Sequence, residues 1–66
     1  MKNTVRVERA IMDITQQELA QSVGVSRQTI NSIESGKYIP STVLSLKIAR
    51  FFGKPTDSIF QLEEND

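Results

Sequence analysis

Apolar residues recur every three to four positions along most of the chain, and a few glycines and prolines divide this pattern into segments of helical length. That spacing is typical of amphipathic helices that bury one face. It predicts five short helices at about residues 4–12, 15–23, 26–34, 41–52 and 55–60. Strand-like alternation is weak, apart from one extended piece near residues 60–63, so the sequence predicts an all-α fold.

Polar residues at the predicted helix starts support these boundaries. Thr15 stands three positions before Glu18, which is the spacing of a capping box, and Ser26 can cap the third helix. Gly53 follows the fourth helix, and Pro55 bars its continuation. The ends of the helices are therefore predicted from local side chains.

The third and fourth helices distribute their apolar residues differently. The third has a thin apolar face, and at about 100° per residue its opposite face carries only hydrogen-bonding side chains, with one cation and no acid. These side chains are Arg27, Gln28, Asn31, Ser32 and Ser35. The fourth helix is apolar on nearly all sides, so we expect it to lie centrally or to offer one face to a partner.

The composition limits the chemistry that the chain can perform. It has no cysteine and no histidine, which removes disulfides, thiolate chemistry, most zinc sites and catalysis by an imidazole base. We therefore expect no enzyme activity, no catalytic residue, no metal and no cofactor. No apolar run reaches the roughly 18 residues that span a bilayer, so we expect a soluble, cytoplasmic protein without a membrane partner or a small-molecule site.

Charge is distributed unevenly along the chain, although eight basic and eight acidic residues give a formal net charge of zero. Residues 1–54 hold all eight basic residues and four acids, and residues 55–66 hold the other four acids. A body of net charge +4 therefore precedes a segment of net charge −4. The net charge of zero hides this dipolar arrangement. A net charge of zero is also low for a nucleic-acid binder.

The polar face of the third helix suits the major groove of DNA. Arginine can donate to the O6 and N7 acceptors of guanine, and Gln or Asn can bridge N6 and N7 of adenine. No acid on this face repels phosphate. The alternative is that these residues are only the solvent-exposed face of a surface helix. The preceding helix and turn weigh against that alternative.

The stretch QELAQSVGVSRQTINSIESGKYIPS resembles the helix-turn-helix of the Cro/repressor-type (Xre) family of DNA-binding regulators. Gln16 opens the unit just before this stretch, and Gly24 lies in its turn, where a positive φ is needed. The resemblance implies a lambda-repressor-like DNA-binding domain over residues 4–60. It places the helix-turn-helix unit at about residues 16–35 and leaves an acidic C-terminal tail at residues 61–66.

The DNA-binding residues that the resemblance implies lie on the second helix, the third helix and the loop after it. Gln16, with Gln17 beside it, would contact phosphate through its side chain and the helix amides. Arg27 and Gln28 match the main base-reading positions, and Lys37 would lie over the DNA backbone. The set is completed by residues on the same helix and loop: Thr29, which could contact phosphate, Asn31, Ser32 and Tyr38.

Two further positions match the family in a structural role. Arg9 and Glu34 stand where relatives hold a partly buried ion pair between the first helix and the end of the recognition helix. Such a pair would fix the orientation of the recognition helix, and the alternative is two separately solvated charges. Asp13 departs from the family pattern, which often has glycine there, and Ser35 stands where many relatives have Asn.

A single recognition helix covers only a few base pairs, so we expect a homodimer on double-stranded DNA that binds a palindrome with half-sites about 10 bp apart. The candidate dimer residues lie at the end of the fourth helix, in the last turn and in the tail: Phe51, Phe52, Ile59, Phe60 and Leu62. In the first helix, Val5 and Met12 match the family's core positions. A second apolar stripe of this helix, which either packs against the tail or joins the dimer contact, comprises Val7, Ala10, Ile11 and Ile14.

The sequence therefore predicts a sequence-specific transcriptional regulator, and a stand-alone repressor is the most economical form. Two alternatives stay open. One is an interaction module that keeps the helical fold without binding DNA. The other is the antitoxin component of a toxin–antitoxin pair.

Overall fold

Five α-helices and one small sheet make up the computed structural model, which describes all 66 residues. Each predicted helix is present within one or two residues of its predicted bounds, and the all-α class is confirmed, with the sheet as a minor addition. The elements in chain order are β1 (Lys2–Asn3), α1 (Val5–Met12), α2 (Gln16–Val23), α3 (Arg27–Glu34), α4 (Thr42–Phe52), α5 (Thr56–Ile59) and β2 (Phe60–Gln61).

Local side chains begin the helices as the sequence predicts. The hydroxyl of Thr15 accepts a hydrogen bond from the amide of Glu18, and the carboxylate of Glu18 accepts one from the amide of Thr15. This reciprocal pair is the predicted capping box. Ser26 caps α3 and Ser41 caps α4, each by accepting from the backbone amide three residues later.

The two turns that flank α2 require left-handed backbone. Gly24, between α2 and α3, has a φ of 78°, as predicted. Asp13, between α1 and α2, has a φ of 56° and is the one non-glycine residue with a positive φ. Aspartate tolerates this conformation better than most side chains do. Asp13 therefore adopts the left-handed turn conformation for which glycine is the usual residue.

The core lies between the inner faces of all five helices and the start of β2. Its members are Val5, Leu19, Ala20, Val23, Ile30, Ile33, Leu44, Ile48, Ala49, Ile59 and Phe60. Because α4 supplies three of them while Val43 and Leu46 remain exposed, that helix both lies centrally and offers an apolar face to solvent. Burial of these apolar side chains is the main force that holds the helices together.

The chain ends are joined by the sheet. β1 pairs antiparallel with β2, with Asn3 opposite Phe60, and the amide of Thr4 donates to the carbonyl of Ile59 at 3.0 Å. β2 lies in the extended piece predicted near residues 60–63, whereas β1 was not predicted. The N-terminal ammonium also pairs with the carboxylates of Glu63 and Asp66, at 3.2 Å and 2.9 Å.

Burial corrects three expectations. Ile59 and Phe60, expected in a dimer contact, are 0% and 7% exposed, because the chain turns after α5 to pair with β1 and directs both residues into the core. Met12, expected in the core, is 46% exposed. α1 instead buries Val5 and Glu8. The buried carboxylate of Glu8 is compensated by an ion pair with the Nζ of Lys54 at 2.7 Å.

The second apolar stripe of α1 does not pack against the tail. Val7 and Ile11 remain 57% and 70% exposed, and Leu62 of the tail is 81% exposed. Phe51 and Phe52 are half-buried, with their rings edge to face at 5.3 Å between centroids. No helix combines the length and the apolar character needed to cross a membrane.

Candidate nucleic-acid interface

α2, the turn at Gly24 and α3 form a helix-turn-helix unit held together by buried side chains. Leu19 and Ala20 of α2 and Ile30 and Ile33 of α3 are fully buried. With the apolar side of α3 fixed in this way, its polar side faces outward. The residues of that side are Arg27, Gln28 and Asn31, which are exposed, and Ser32, which is half-buried.

Thr29 lies at the edge of the exposed face rather than at its centre. Its hydroxyl is 2.9 Å from the hydroxyl of Ser26, the residue that caps α3, and its amide donates to the same Ser26 oxygen at 3.1 Å. Thr29 therefore helps to hold the first turn of the recognition helix. Thr29 is half-buried, and its hydroxyl keeps two further positions for hydrogen bonds.

The beginnings of α2 and α3 border one open cleft, which brings together three of the predicted residues, Gln16, Gln17 and Arg27. Asp13 and Arg9 also line this cleft. A cation, two amides and the free backbone N–H groups at the start of α2 suit an anionic group. The carboxylate of Asp13 lies in the same cleft and opposes an anion there.

Glu34, at the end of α3, is the centre of a hydrogen-bond network. Its Oε2 accepts from Nε of Arg9 at 2.7 Å, and its Oε1 accepts from Nη2 of Arg9 at 3.1 Å. Oε1 also accepts from Nε2 of Gln16 at 3.0 Å. The Glu34 side chain has no exposed surface, and Nη1 of Arg9 donates to the carbonyl of Ile14. The network thus ties α1, the start of α2 and the end of α3 together.

The electrostatics of this network favour the ion pair. Burial alone would raise the pKa of Glu34, but the hydrogen bonds from Arg9 and Gln16 and the charge of Arg9 outweigh burial and hold that pKa below its usual value. The hydrogen bond to Glu34 likewise raises the pKa of Arg9. Both groups are therefore charged at neutral pH.

The loop after α3 lies beside the recognition face. The amides of Lys37 and Tyr38 both donate to the carbonyl of Ser32, at 2.9 Å and 3.2 Å, which turns the chain back at the end of the helix. Lys37 is exposed, and Tyr38 shares an open depression with Gln28 and Ser32. A cation and a phenol hydroxyl thus border the row of side chains on α3.

Two features of this surface were not predicted from the sequence. One is the hydrogen bond from Gln16 to Glu34, which uses one of the two N–H groups expected to face phosphate. The other is Arg6, whose Nε lies 3.5 Å from Oε1 of Glu34 while its side chain is 68% exposed. Its position three residues before Arg9, on the same side of a helix, was the available signal.

Comparison with known proteins gives a consistent result. The family model described as helix-turn-helix matches residues 5–59. An uncharacterized HTH-type transcriptional regulator of Methanocaldococcus jannaschii is 50% identical, with all of both chains covered. The uncharacterized HTH-type transcriptional regulator YgzD of Bacillus subtilis is 44% identical, also over all of both chains. An uncharacterized HTH-type transcriptional regulator of Archaeoglobus fulgidus is 44% identical over all of this chain and 93% of its own.

Proposed function

This chain belongs to the Xre-type helix-turn-helix family, and from that premise we propose that it is a DNA-binding transcriptional regulator that represses by occupying a palindromic operator as a homodimer. The observation that carries this proposal is the exposed face of α3, which presents Arg27, Gln28 and Asn31 to solvent with no acid among them. The DNA-binding domain is proposed to span residues 4–60, with the helix-turn-helix at about 16–35 and residues 61–66 as a tail.

In the proposed complex, α3 lies in the major groove. Arg27 and Gln28, in its first turn, contact base edges, and Asn31 and Ser32 extend the contact along the helix. Guanidinium and carboxamide groups match the donor and acceptor patterns of guanine and adenine there. Sequence preference therefore resides in α3.

The DNA backbone is proposed to be held on either side of that helix. Gln17 and the second N–H of Gln16 contact a phosphate at the cleft beside α2, and Thr29 can add a hydroxyl. On the other side, Lys37 and Tyr38 in the loop contact a phosphate. Such contacts set the register of α3 in the groove without specifying bases.

The network at Glu34 supports the proposal by fixing the angle of the recognition helix. One carboxylate accepts hydrogen bonds from Arg9 of α1 and Gln16 of α2. Because the same Gln16 is proposed to bind phosphate, the backbone contact and the end of the recognition helix are mechanically joined. Such preorganisation reduces the conformational entropy that the protein loses when it binds DNA.

The homodimer is proposed to form through the outer face of α4. Val43 and Leu46 are 63% and 53% exposed on that face, and Ile39, in the loop before it, is 60% exposed. Adjacent exposed apolar residues favour a protein contact. Half-buried Phe51 and Phe52 at the end of α4 can extend the surface, and exposed Leu62 remains a candidate from the tail.

Selection from a random duplex library at about 100 mM salt tests the proposal, because binding, symmetry and base preference are read in one experiment. We expect enrichment of an inverted repeat with half-sites about 10 bp apart. Repression is tested by placing the selected repeat over a promoter and measuring transcription with and without the protein. Absence of enrichment, together with absence of binding at low salt, would favour the interaction module or the antitoxin instead.

A further inference from the structure

Arg6 lies outside the helix-turn-helix unit but adjoins its candidate phosphate contact. Its Nε is 3.5 Å from Oε1 of Glu34, the oxygen that also accepts from Nε2 of Gln16 at 3.0 Å. The guanidinium of Arg6 and the carboxamide of Gln16 therefore meet at one atom. A phosphate group bound at Gln16 would lie within reach of the outer N–H groups of Arg6.

The charge balance leaves Arg6 available for an anion. Glu34 is already bound by Arg9 through two hydrogen bonds, at 2.7 Å and 3.1 Å, and the Arg9 side chain is 18% exposed. Arg6 adds a second guanidinium to the same carboxylate, so the cluster carries a net positive charge. Because the side chain of Arg6 is 68% exposed, this excess charge is at the surface.

Glu34 attracts the guanidinium of Arg6 toward this site through an ion pair of 3.5 Å. An arginine side chain loses rotamer entropy when it binds a phosphate, and one that an ion pair already biases toward the site loses less. The planar guanidinium keeps its Nη1 and Nη2 donors, which can form two parallel hydrogen bonds to phosphate oxygens.

We propose that Arg6 of α1 is a DNA-backbone contact, positioned by Glu34, that extends the interface from the helix-turn-helix unit to the first helix. The inference rests on the proposed DNA binding and adds to it a residue that binds phosphate without reading bases. Arg6 and Gln16 would hold the same region of one strand. The partner is duplex DNA of any sequence.

The experiment measures the affinity of the full chain for the selected operator and for an unrelated duplex over a range of salt concentrations. Arg6→Ala is expected to weaken binding to both duplexes by about tenfold at low salt and to reduce the slope of log K against log[salt] by about 0.9, the value for one phosphate on B-DNA. The base preference in a repeat selection is expected to remain unchanged.

Lys2→Ala is the control, because Lys2 is an exposed cation of β1 that lies outside the cleft at Gln16 and outside the outer face of α4. It removes the same charge. An equal loss of affinity and slope in both variants would overturn the proposal, since long-range charge alone would then explain the effect. Unchanged binding by Arg6→Ala would overturn it as well.

Arg6→Gln provides a second variant in case Arg6→Ala fails to fold. Its amide can still donate to Glu34 but it carries no charge, so the same loss of slope is expected. Arg6→Lys restores the charge and is expected to recover the slope with part of the affinity. If the unchanged protein binds no duplex at all, the proposed function fails. If it binds and Arg6 variants behave as wild type, only this inference fails.

Discussion

Arg9 and Glu34 meet in two parallel hydrogen bonds, of 2.7 Å and 3.1 Å, that join the first helix to the last residue of the recognition helix. The Glu34 side chain is completely buried, while the Arg9 side chain is 18% exposed. The fork geometry of a guanidinium suits a carboxylate, which makes this pair stronger and more directional than a lysine pair would be. Removing Glu34 leaves the guanidinium of Arg9 without its carboxylate partner.

Glu34→Ala is therefore expected to lower the free energy of unfolding far more than Glu18→Ala. The loss of one partner from a buried pair costs about 3–5 kcal/mol, whereas Glu18 belongs to an exposed capping box, where about 1 kcal/mol is typical. Urea denaturation followed by circular dichroism measures both. Equal, small losses would contradict a stabilising role for the pair.

Acid is expected to destabilise the protein partly through Glu34. Because the pKa of Glu34 in the folded chain is below its ordinary value of 4.5, the unfolded chain takes up a proton first as the pH falls. The stabilisation is complete above about pH 4.5 and is lost as the pH falls through the lower folded value. Denaturation from about pH 6 to about pH 3 should show a smaller loss for Glu34→Gln than for wild type.

The pKa of Asp66 is also lowered, because its carboxylate accepts a hydrogen bond from the amide of Glu63 and contacts the N-terminal ammonium. Both proteins in that comparison keep Asp66, so the difference between them reports Glu34. Identical acid profiles would show that Glu34 does not titrate below its unfolded value.

Gln28→Ala and Lys37→Ala are expected to affect DNA binding in different ways. Gln28 lies on the exposed face of α3, so its loss should relax the preference at one base pair per half-site by about 1–3 kcal/mol. Lys37 lies in the following loop, so its loss should weaken binding to all sequences and reduce the salt slope by about one. Repeat selection and salt titration measure the two effects. An unchanged selected sequence for Gln28→Ala would show that the recognition helix is oriented differently in the groove.

Asp13→Gly and Asp13→Ala are expected to differ by about 1 kcal/mol in the free energy of unfolding, with glycine the more stable. The φ of 56° at Asp13 strains an alanine, whereas glycine adopts it freely. Thermal denaturation measures the difference as a shift of about 4–8 °C. Asp57 is the control, because it lies in the helical backbone of α5, where alanine is the more stable of the two. The same order at both positions would contradict strain at Asp13.

The double variant Val43→Gln with Leu46→Gln is expected to dissociate the proposed homodimer and to raise its dissociation constant at least about tenfold. Both side chains are exposed in the single chain, so the fold should be unaffected. Val7→Gln with Ile11→Gln, on the exposed stripe of α1, is the matched control. Sedimentation velocity over a range of protein concentrations measures both. Dissociation in the control alone would assign the contact to α1.

The fold was largely predictable because its boundaries depend on neighbouring residues. Thr15 with Glu18, Ser26 and Gly24 each act within three residues of their partners or on their own backbone, so the sequence alone indicates them. Their predicted roles agree with the structure at each position. Strong periodicity in the helices between them completed the assignment.

Long-range relationships were predicted less well. β1 is only two residues long, and its pairing partner lies at the other end of the chain, so no local pattern marks it. Ile59 and Phe60 looked available for a dimer because the sequence does not show that this strand exists. In the sequence alone Glu8 resembles a surface residue, because its ion-pair partner, Lys54, lies 46 positions away. For the site, the exposed face of α3 followed from periodicity, whereas the contacts of Arg6 and Gln16 with Glu34 depend on how three helices meet.

The pairing of β1 with β2 also sets the order in which parts of the chain can fold during synthesis. α2 and α3 are neighbours in the chain and can associate early, because local contacts form fastest. Lys2, Asn3 and Thr4, in contrast, find their backbone partners only after residues 59–61 have left the ribosome. α1, which carries the arginine that pairs with the end of the recognition helix, therefore receives its last backbone restraint only when residues 59–61 emerge.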